Sequence, residues 1–301
     1  MTTFFPEGTL LDTNENKAAL SSLAALEAAM EHGKLLEAVA QKCEPDLTLR
    51  FDLGGIPAYM PKEEVSLTEQ DCQLRDIAVI TRVGKPCVFL IDRIVTHPEP
   101  HLFLSRKKAQ EKCLAEYLDH LEIGDLLPAK VTHLEPFGAF CDIGCGIPSL
   151  IAIDCISVSR ISHPSDRFFP GQEILCAVRS RDDRLLGKRG RISLTHKELL
   201  GTWQENADRF HAGQTVMGIV RSVESYGVFI ELAPNLAGLA EFRDDVKPGD
   251  GCSVYIKSII PSKMKIKLVL IDTFRAPAPT PPEYFIREGS IRDFHYGTHS
   301  L

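Results

Sequence analysis

The chain has 301 residues, 44% of them hydrophobic and 25% charged, with 34 basic against 41 acidic side chains and a net charge of −7. This leaves room for two domains of roughly 150 residues or for several smaller modules, provides apolar material for real cores, and argues against a protein coated along its length in nucleic acid. No run of about 18 apolar residues occurs and Met1 to Thr13 has neither a basic nor an apolar stretch, so no membrane helix and no secretory leader are expected.

The first predicted element is a helix from Asn14, its N-cap, to Glu31, with Leu20, Leu23, Leu26 and Met30 near helical spacing and Gly33 as its stop. The period then becomes strand-like. Leu47, Leu49, Phe51 and Leu53 alternate with polar residues, Gly54-Gly55 marks a turn, and Ile77 to Val83, Cys87 to Val95 and His101 to Ser105 read as strands. Arg106 to Leu121 reads as a second helix, with Ala109, Cys113, Tyr117, Leu118 and Leu121 on one face. A third is expected over Lys197 to Phe210, where the single Trp203 lies on the apolar face of a packing helix. After Thr273, Pro277, Pro279, Pro281 and Pro282 favour an extended linker, and the apolar residues from Tyr284 to Tyr296 suit docking on the body or on a partner.

From Gly124 a β pattern repeats. Gly124 to Val131 is matched 89 residues later by Gly213 to Val220, Phe137-Gly-Ala-Phe140 by Tyr226-Gly-Val-Phe229, and Ser149-Leu150 by Gly238-Leu239. A weaker copy lies upstream, with Gly55 to Val65 as its middle and Leu102 to Lys107 as its last strand, and it lacks an aromatic-Gly-x-aromatic segment. The expected organisation is an N-terminal helix (1–34), a divergent barrel with a linker helix (35–120), a barrel with a linker helix (121–210), a second good barrel (211–273) and a Pro-rich tail (274–301).

Five-stranded OB barrels bind single strands by stacking bases on aromatic side chains beside basic ones. Phe137 and Phe140 fit that use, provided that Gly138 permits a bulge bringing both rings to one surface; Tyr226 and Phe229 repeat the device. Arg179 to Arg191 holds six basic residues, Arg179, Arg181, Arg184, Lys188, Arg189 and Arg191, against Asp182 and Asp183, and the equivalent stretch of the next copy holds Lys257, Lys263, Lys265 and Lys267. Lys130 and Arg221 are further candidate cations on the first strands of the two copies. Either feature alone suits an ordinary β protein with core aromatics and solvated hairpins. Their recurrence in one frame favours a binding surface. Acidity is concentrated elsewhere: residues 1–120 hold 13 basic and 19 acidic side chains.

The runs Gly124 to Leu200 and Gly213 to Leu268 resemble the RNA-binding repeat first named for bacterial ribosomal protein S1, on Phe-Gly-Ala-Phe, Asp142-Ile-Gly144, Gly171-Gln172, Arg191-Ile-Ser-Leu194 and Lys197. The chain is similar to short S1 homologues with three such repeats. The resemblance implies tandem S1-type OB barrels that bind RNA through two aromatics, a histidine, an aspartate and an arginine. In the middle copy these fall on Phe137, Phe140, Asp182 and Arg191, with Ala152 in the histidine's place. In the last they fall on Tyr226 and Phe229, with Glu241, Pro261 and Lys265 replacing the other three. The first copy keeps none of the set.

No nucleophile elbow, phosphate loop, His-Glu-x-x-His or Gly-x-Gly-x-x-Gly motif is present, so no enzyme and no cofactor are expected. Nine cysteines without a paired pattern fit a reducing cytoplasm. Cys141, Cys145 and Cys155 lack the two close pairs of a zinc site, so no metal is expected. His133, His163 and His196 read as surface or RNA-edge residues. The expected partners are single-stranded RNA and the small ribosomal subunit, without membrane or double-stranded DNA. The alternative is an adaptor whose barrels dock other proteins.

Overall fold

Strand alternation decides most of the architecture. In Leu49–Leu53 the residues Leu49, Phe51 and Leu53 are buried while Arg50 and Asp52 face outward, and the same two-residue period sorts the inner and outer faces of the other long strands. The computed structural model describes residues 4–68, 74–182, 191–277 and 280–297.

The fold is mainly β, as three OB-type units in a row. The first comprises α1 (Asn14–Ala19), α2 (Leu23–Glu31), β1 (Leu36–Val39), β2 (Lys42–Cys43), β3 (Leu49–Leu53), β4 (Ile56–Met60), α3 (Asp76–Ile80), β5 (Pro86–Val95), β6 (His101–Ser105) and α4 (Arg106–Glu116). Its six-stranded sheet has the order β1-β5-β6-β4-β3-β2. The two edge strands β1 and β2 are separated in the chain by just Ala40 and Gln41, so the sheet curls until its edges are halves of one interrupted strand. The second unit is a closed barrel of β7 (Leu126–Glu135), β8 (Gly138–Asp142), β9 (Pro148–Ala152), β10 (Glu173–Arg181) and β11 (Ile192–Thr195). After α5 (Trp203–Ala207) the third barrel closes from β12 (Thr215–Glu224), β13 (Gly227–Ala233), β14 (Leu236–Ala240), β15 (Asp250–Ile260) and β16 (Lys265–Arg275). In each unit the third OB strand pairs in parallel with the last, as β4–β6, β9–β11 and β14–β16. Among the described residues no helix is long and apolar enough to cross a membrane.

Four expectations are corrected. The first helix is two: Thr13 caps α1 by accepting from the Asn16 N–H, and Ser22 caps α2 by accepting from the Ala25 N–H, so side-chain oxygens offer the backbone a stop and a restart between Leu20 and Leu23. The run from Ile77 to Val83 includes helix α3, not a strand. Its apolar residues do not mark a core face, since Val79 is buried while Ile77 and Ile80 are 61% and 48% exposed. The expected helix over 197–210 is split by Gly201 at φ 84° into a 3-10 turn (Lys197–Leu200) and α5, and Trp203 fills the third barrel's core. His196, read as a surface residue, is 1% exposed.

Polar welds hold the units together. Glu7, in the N-terminal segment, receives both a Nε–H and a Nη2–H bond from Arg106 of α4, at 2.5 and 3.1 Å, and one from Arg82 at 2.7 Å. Arg106 also donates to the carbonyls of Val65 and Gly146, so one guanidinium ties the first unit to the second. Gly146 must be glycine, because a Cβ there would enter the guanidinium. Asp142 accepts from the N–H groups of Glu7, Gly144 and Gly146, and burial, with Glu7 nearby, pushes its carboxyl up to about 6. Between the second and third units, buried Asn235 accepts from the Val158 N–H and donates to the carbonyls of Lys197 and Gly201.

The tail lies across both barrels. The Tyr284 hydroxyl accepts from the Leu175 N–H at 3.0 Å and the Tyr296 hydroxyl donates to the Asn235 carbonyl at 2.6 Å. Nδ1 of His196 donates to the Ile156 carbonyl, which leaves Nε2 to accept from the Tyr284 hydroxyl at 3.2 Å. Burial pushes the His196 imidazole down to about 4 from an ordinary 6.5, so it is neutral in the fold. Below that ordinary value the unfolded chain takes up a proton that the folded chain refuses. Stability from this group is therefore complete above about pH 6.5 and declines as the pH falls toward 4. From pH 7 to pH 5 the loss amounts to about 2 kcal/mol. In urea unfolding, His196→Gln is expected to remove that increment, so that the gap between wild type and variant narrows by that amount on acidification.

Candidate nucleic-acid interface

The paired rings stand outside the barrels. Phe137 sits in the turn between β7 and β8 and is 55% exposed; Phe140 is half-buried on β8, and the two rings meet edge to face with centroids 5.9 Å apart. Tyr226 occupies the same turn of the third barrel at 67% exposure and meets half-buried Phe229 at 6.1 Å, again edge to face. The expected reason is corrected. Phe137 and Tyr226 precede the strands, so no parity change within the strand is needed. The irregularity lies on the partner strand, where the register slips between Val131 and His133, and again between Val220 and Ser222. Gly138 serves close approach: a Cβ there would collide with the Ile151 carbonyl oxygen on β9.

Pairing aligns the outward side chains into rows across each barrel. In the second barrel His133 on β7 faces Phe140 on β8, Phe140 faces Leu150 on β9, Leu150 faces Ser193 on β11 and Ser193 faces Ser180 on β10. In the third the row is Ser222, Phe229, Leu239, Lys267 and Ser258. His133 lies flat on Phe140, with centroids 4.3 Å apart and planes 8° from parallel. His133, expected at the surface or at an RNA edge, is exposed. Its strand position opposite Phe140 depends on the bulge, which no motif announces.

Phe140, Asp182 and Arg191 line one cleft of about 690 Å³, to which Leu114 and Leu118 of the linker also contribute. Asp182 and Arg191 are exposed and lie together, the Asp182 N–H donating to the Arg191 carbonyl at 3.0 Å. Arg179 is half-exposed and lies 3.9 Å from Asp154. Arg181 instead turns back onto the linker, donating to the carbonyls of Leu118 and Asp119. Arg184, Lys188 and Arg189 lie outside the described residues. In the third barrel Lys257 and Lys265 are exposed, as are Glu241 and Pro261.

Two candidate cations are otherwise occupied. Arg221 is 8% exposed and bonds Glu231, which also pairs with Arg167, while Asp166 lies 3.4 Å from Arg221. This charged knot joins β12 and β13 to the loop before β10, because the bulge turns Arg221 toward the neighbouring barrel. Lys130 donates to the Glu7 carbonyl at 3.0 Å and is half-buried under the N-terminal segment. Cys141, Cys145 and Cys155 are buried thiols, and burial pushes Cys141 up to about 12. Among the described residues no group of three or more His, Cys, Asp or Glu side chains could hold a metal ion.

Three OB-type units in sequence, two of them closed barrels with paired rings on the outer face, define the class: a tandem-barrel chain. The relatives agree that the chain is S1-like. It is 33% identical to the small ribosomal subunit protein bS1 of Leuconostoc lactis over 183 residues, covering 56% of this chain and 42% of that protein. It is 39% identical to the bS1 homolog of Bacillus subtilis (strain 168) over 127 residues, 41% of this chain and 31% of that protein. Against bS1 of Rhizobium meliloti (strain 1021) it is 27% identical over 244 residues, 75% of this chain and 41% of that protein. The chain thus spans less than half the length of these relatives. No family model matches it. Among solved structures, a multidomain protein with nucleic acid binding domains from Streptococcus pneumoniae TIGR4 is 15% identical, with a TM-score of 0.27 over 80% of this chain and 74% of that one, a likeness too slight to argue from.

Gly138→Ala is expected to destabilise the second barrel by about 1–3 kcal/mol, because strand β9 must yield to the new methyl group. Urea denaturation of the variant measures this.

Proposed function

We propose that the chain is a non-catalytic single-stranded RNA-binding protein that works with the small ribosomal subunit in translation. The observation that carries the reading is the placing of Phe137 and Tyr226 at 55% and 67% exposure beside half-buried partner rings. Such a ring costs free energy when left in water, and a base stacked on it contributes about 1–3 kcal/mol. The convergence of Phe140, Asp182 and Arg191 on one cleft adds a polar edge and a cation beside the ring. The similarity to bS1 proteins supports the link to translation. Stacking tolerates all bases, so shape and charge rather than a base code set the preference.

A second reading, protein docking, has support on the third barrel. Met217, Val269 and Ile271 are 67%, 45% and 52% exposed on its outer face, and Tyr255 beside Val269 is 40% exposed.

Titration of the full chain with a fluorescent single-stranded RNA oligomer at several salt concentrations tests the proposal. Affinity is expected to fall with salt by a slope of about 0.7 per phosphate contacted. Phe137→Ala with Phe140→Ala is expected to weaken binding more than tenfold. Unchanged affinity in that double variant removes the second barrel from the site, and binding indifferent to salt and to RNA favours protein docking.

A further inference from the structure

The first unit lacks the aromatic-Gly-x-aromatic segment, yet its outer face is neither bare nor acidic where the barrel rows run. Following its pairing, Lys42 on β2 faces Arg50 on β3, Arg50 faces Tyr59 on β4, Tyr59 faces Phe103 on β6, and Phe103 faces Arg93 on β5. These are the five strand positions held in the second barrel by His133, Phe140, Leu150, Ser193 and Ser180. The rings have moved from the second OB strand to the third and fifth, and cations occupy the first, second and fourth.

The row is a built surface. Tyr59 and Phe103 are half-buried, flanked along their strands by fully buried Ala58, Met60, Leu102 and Leu104, so they point away from the core. Their centroids are 6.4 Å apart, and His101 adds a third ring at 5.6 Å from Phe103 and 6.2 Å from Tyr59. The Arg93 guanidinium lies 4.3 Å from the Phe103 ring centre, its charge held over an aromatic face. Lys42, Arg50 and Arg93 are exposed, and of these Lys42 is paired with Glu44. Four inter-strand gaps of about 4.8 Å make a track of about 19 Å.

We propose that this row of Lys42, Arg50, Tyr59, Phe103 and Arg93, with His101, is a second stacking platform for single-stranded RNA, on the unit that carries none of the usual residues. Tyr59 and Phe103 receive bases, and Arg50 and Arg93 on either side receive phosphates. The inference rests on the RNA-binding reading above and extends the bound strand beyond the second barrel. It also gives the acidic N-terminal third a local basic strip where its overall charge would repel RNA.

The test is ultraviolet crosslinking of the full chain to a 20-nucleotide oligouridine, with crosslinked peptides mapped by mass spectrometry, alongside affinity measurements. Crosslinks are expected on peptides carrying Tyr59 or Phe103 as well as on those carrying Phe137 or Tyr226. Tyr59→Ala with Phe103→Ala is expected to weaken binding of the 20-mer at least tenfold. Arg93→Ala is expected to lower the salt slope by about 0.7. Circular dichroism melting checks that these outward substitutions leave the fold intact, and Tyr59→Phe with Phe103→Tyr is expected to restore binding. Crosslinks confined to the second and third barrels, with unchanged affinity in the Tyr59 and Phe103 variant, overturn the platform and leave the RNA-binding reading standing. No crosslink anywhere overturns both, and binding of an acidic peptide at this row in place of RNA overturns the platform.

Discussion

The bidentate ion pair between Glu7 and Arg106 holds the rest of the arrangement in place. Both groups are buried, and Arg106 at once binds the N-terminal segment, the Val65 carbonyl of the first unit and the Gly146 carbonyl of the second. Such a pair contributes little net stability over an apolar substitute, but removing one partner strands a buried charge and costs roughly 3–5 kcal/mol. Its value is geometric: it requires α4 and the loop after β8 to meet in one register. The linker leucines that wall the second barrel's cleft are placed by that meeting.

The second joint is built differently. Buried Asn235 and the knot of Arg167, Arg221, Glu231 and Asp166 bridge the second and third barrels, and the tail lies over the seam through Tyr284 and Tyr296. The neutral, buried His196 under the tail makes this joint more sensitive to acid than a fully apolar seam would be. Charges near the joints are consumed by them, which is why Arg221 and Lys130 are unavailable while Arg179 and Lys257 remain at the surface.

Much of the fold was legible because strand alternation and an 89-residue repeat are strong one-dimensional signals. Phe137 and Phe140 could be named from a four-residue segment, and their outward placing follows from turn and strand position. Other features were hidden for definable reasons. Ile77 to Val83 is too short, with four apolar residues in succession at its start, to separate helix from strand. Arg221 reads as an exposed cation until the bulge beside it is known. The row from Lys42 to Arg93 joins residues up to 61 positions apart through four pairings, and register is invisible in a single sequence unless a motif marks it.

The polar ties at the two joints have a kinetic consequence for any ligand long enough to touch more than one barrel. Sites on a stiff frame present themselves at a fixed spacing, so once a strand is held at one barrel its next segment meets the neighbour at high local concentration. Avidity then multiplies modest contacts, and residence time grows with the number of barrels engaged, while the rate of first encounter hardly changes. On the RNA-binding reading, a long strand held at several weak sites would exchange its holds one at a time without leaving the chain.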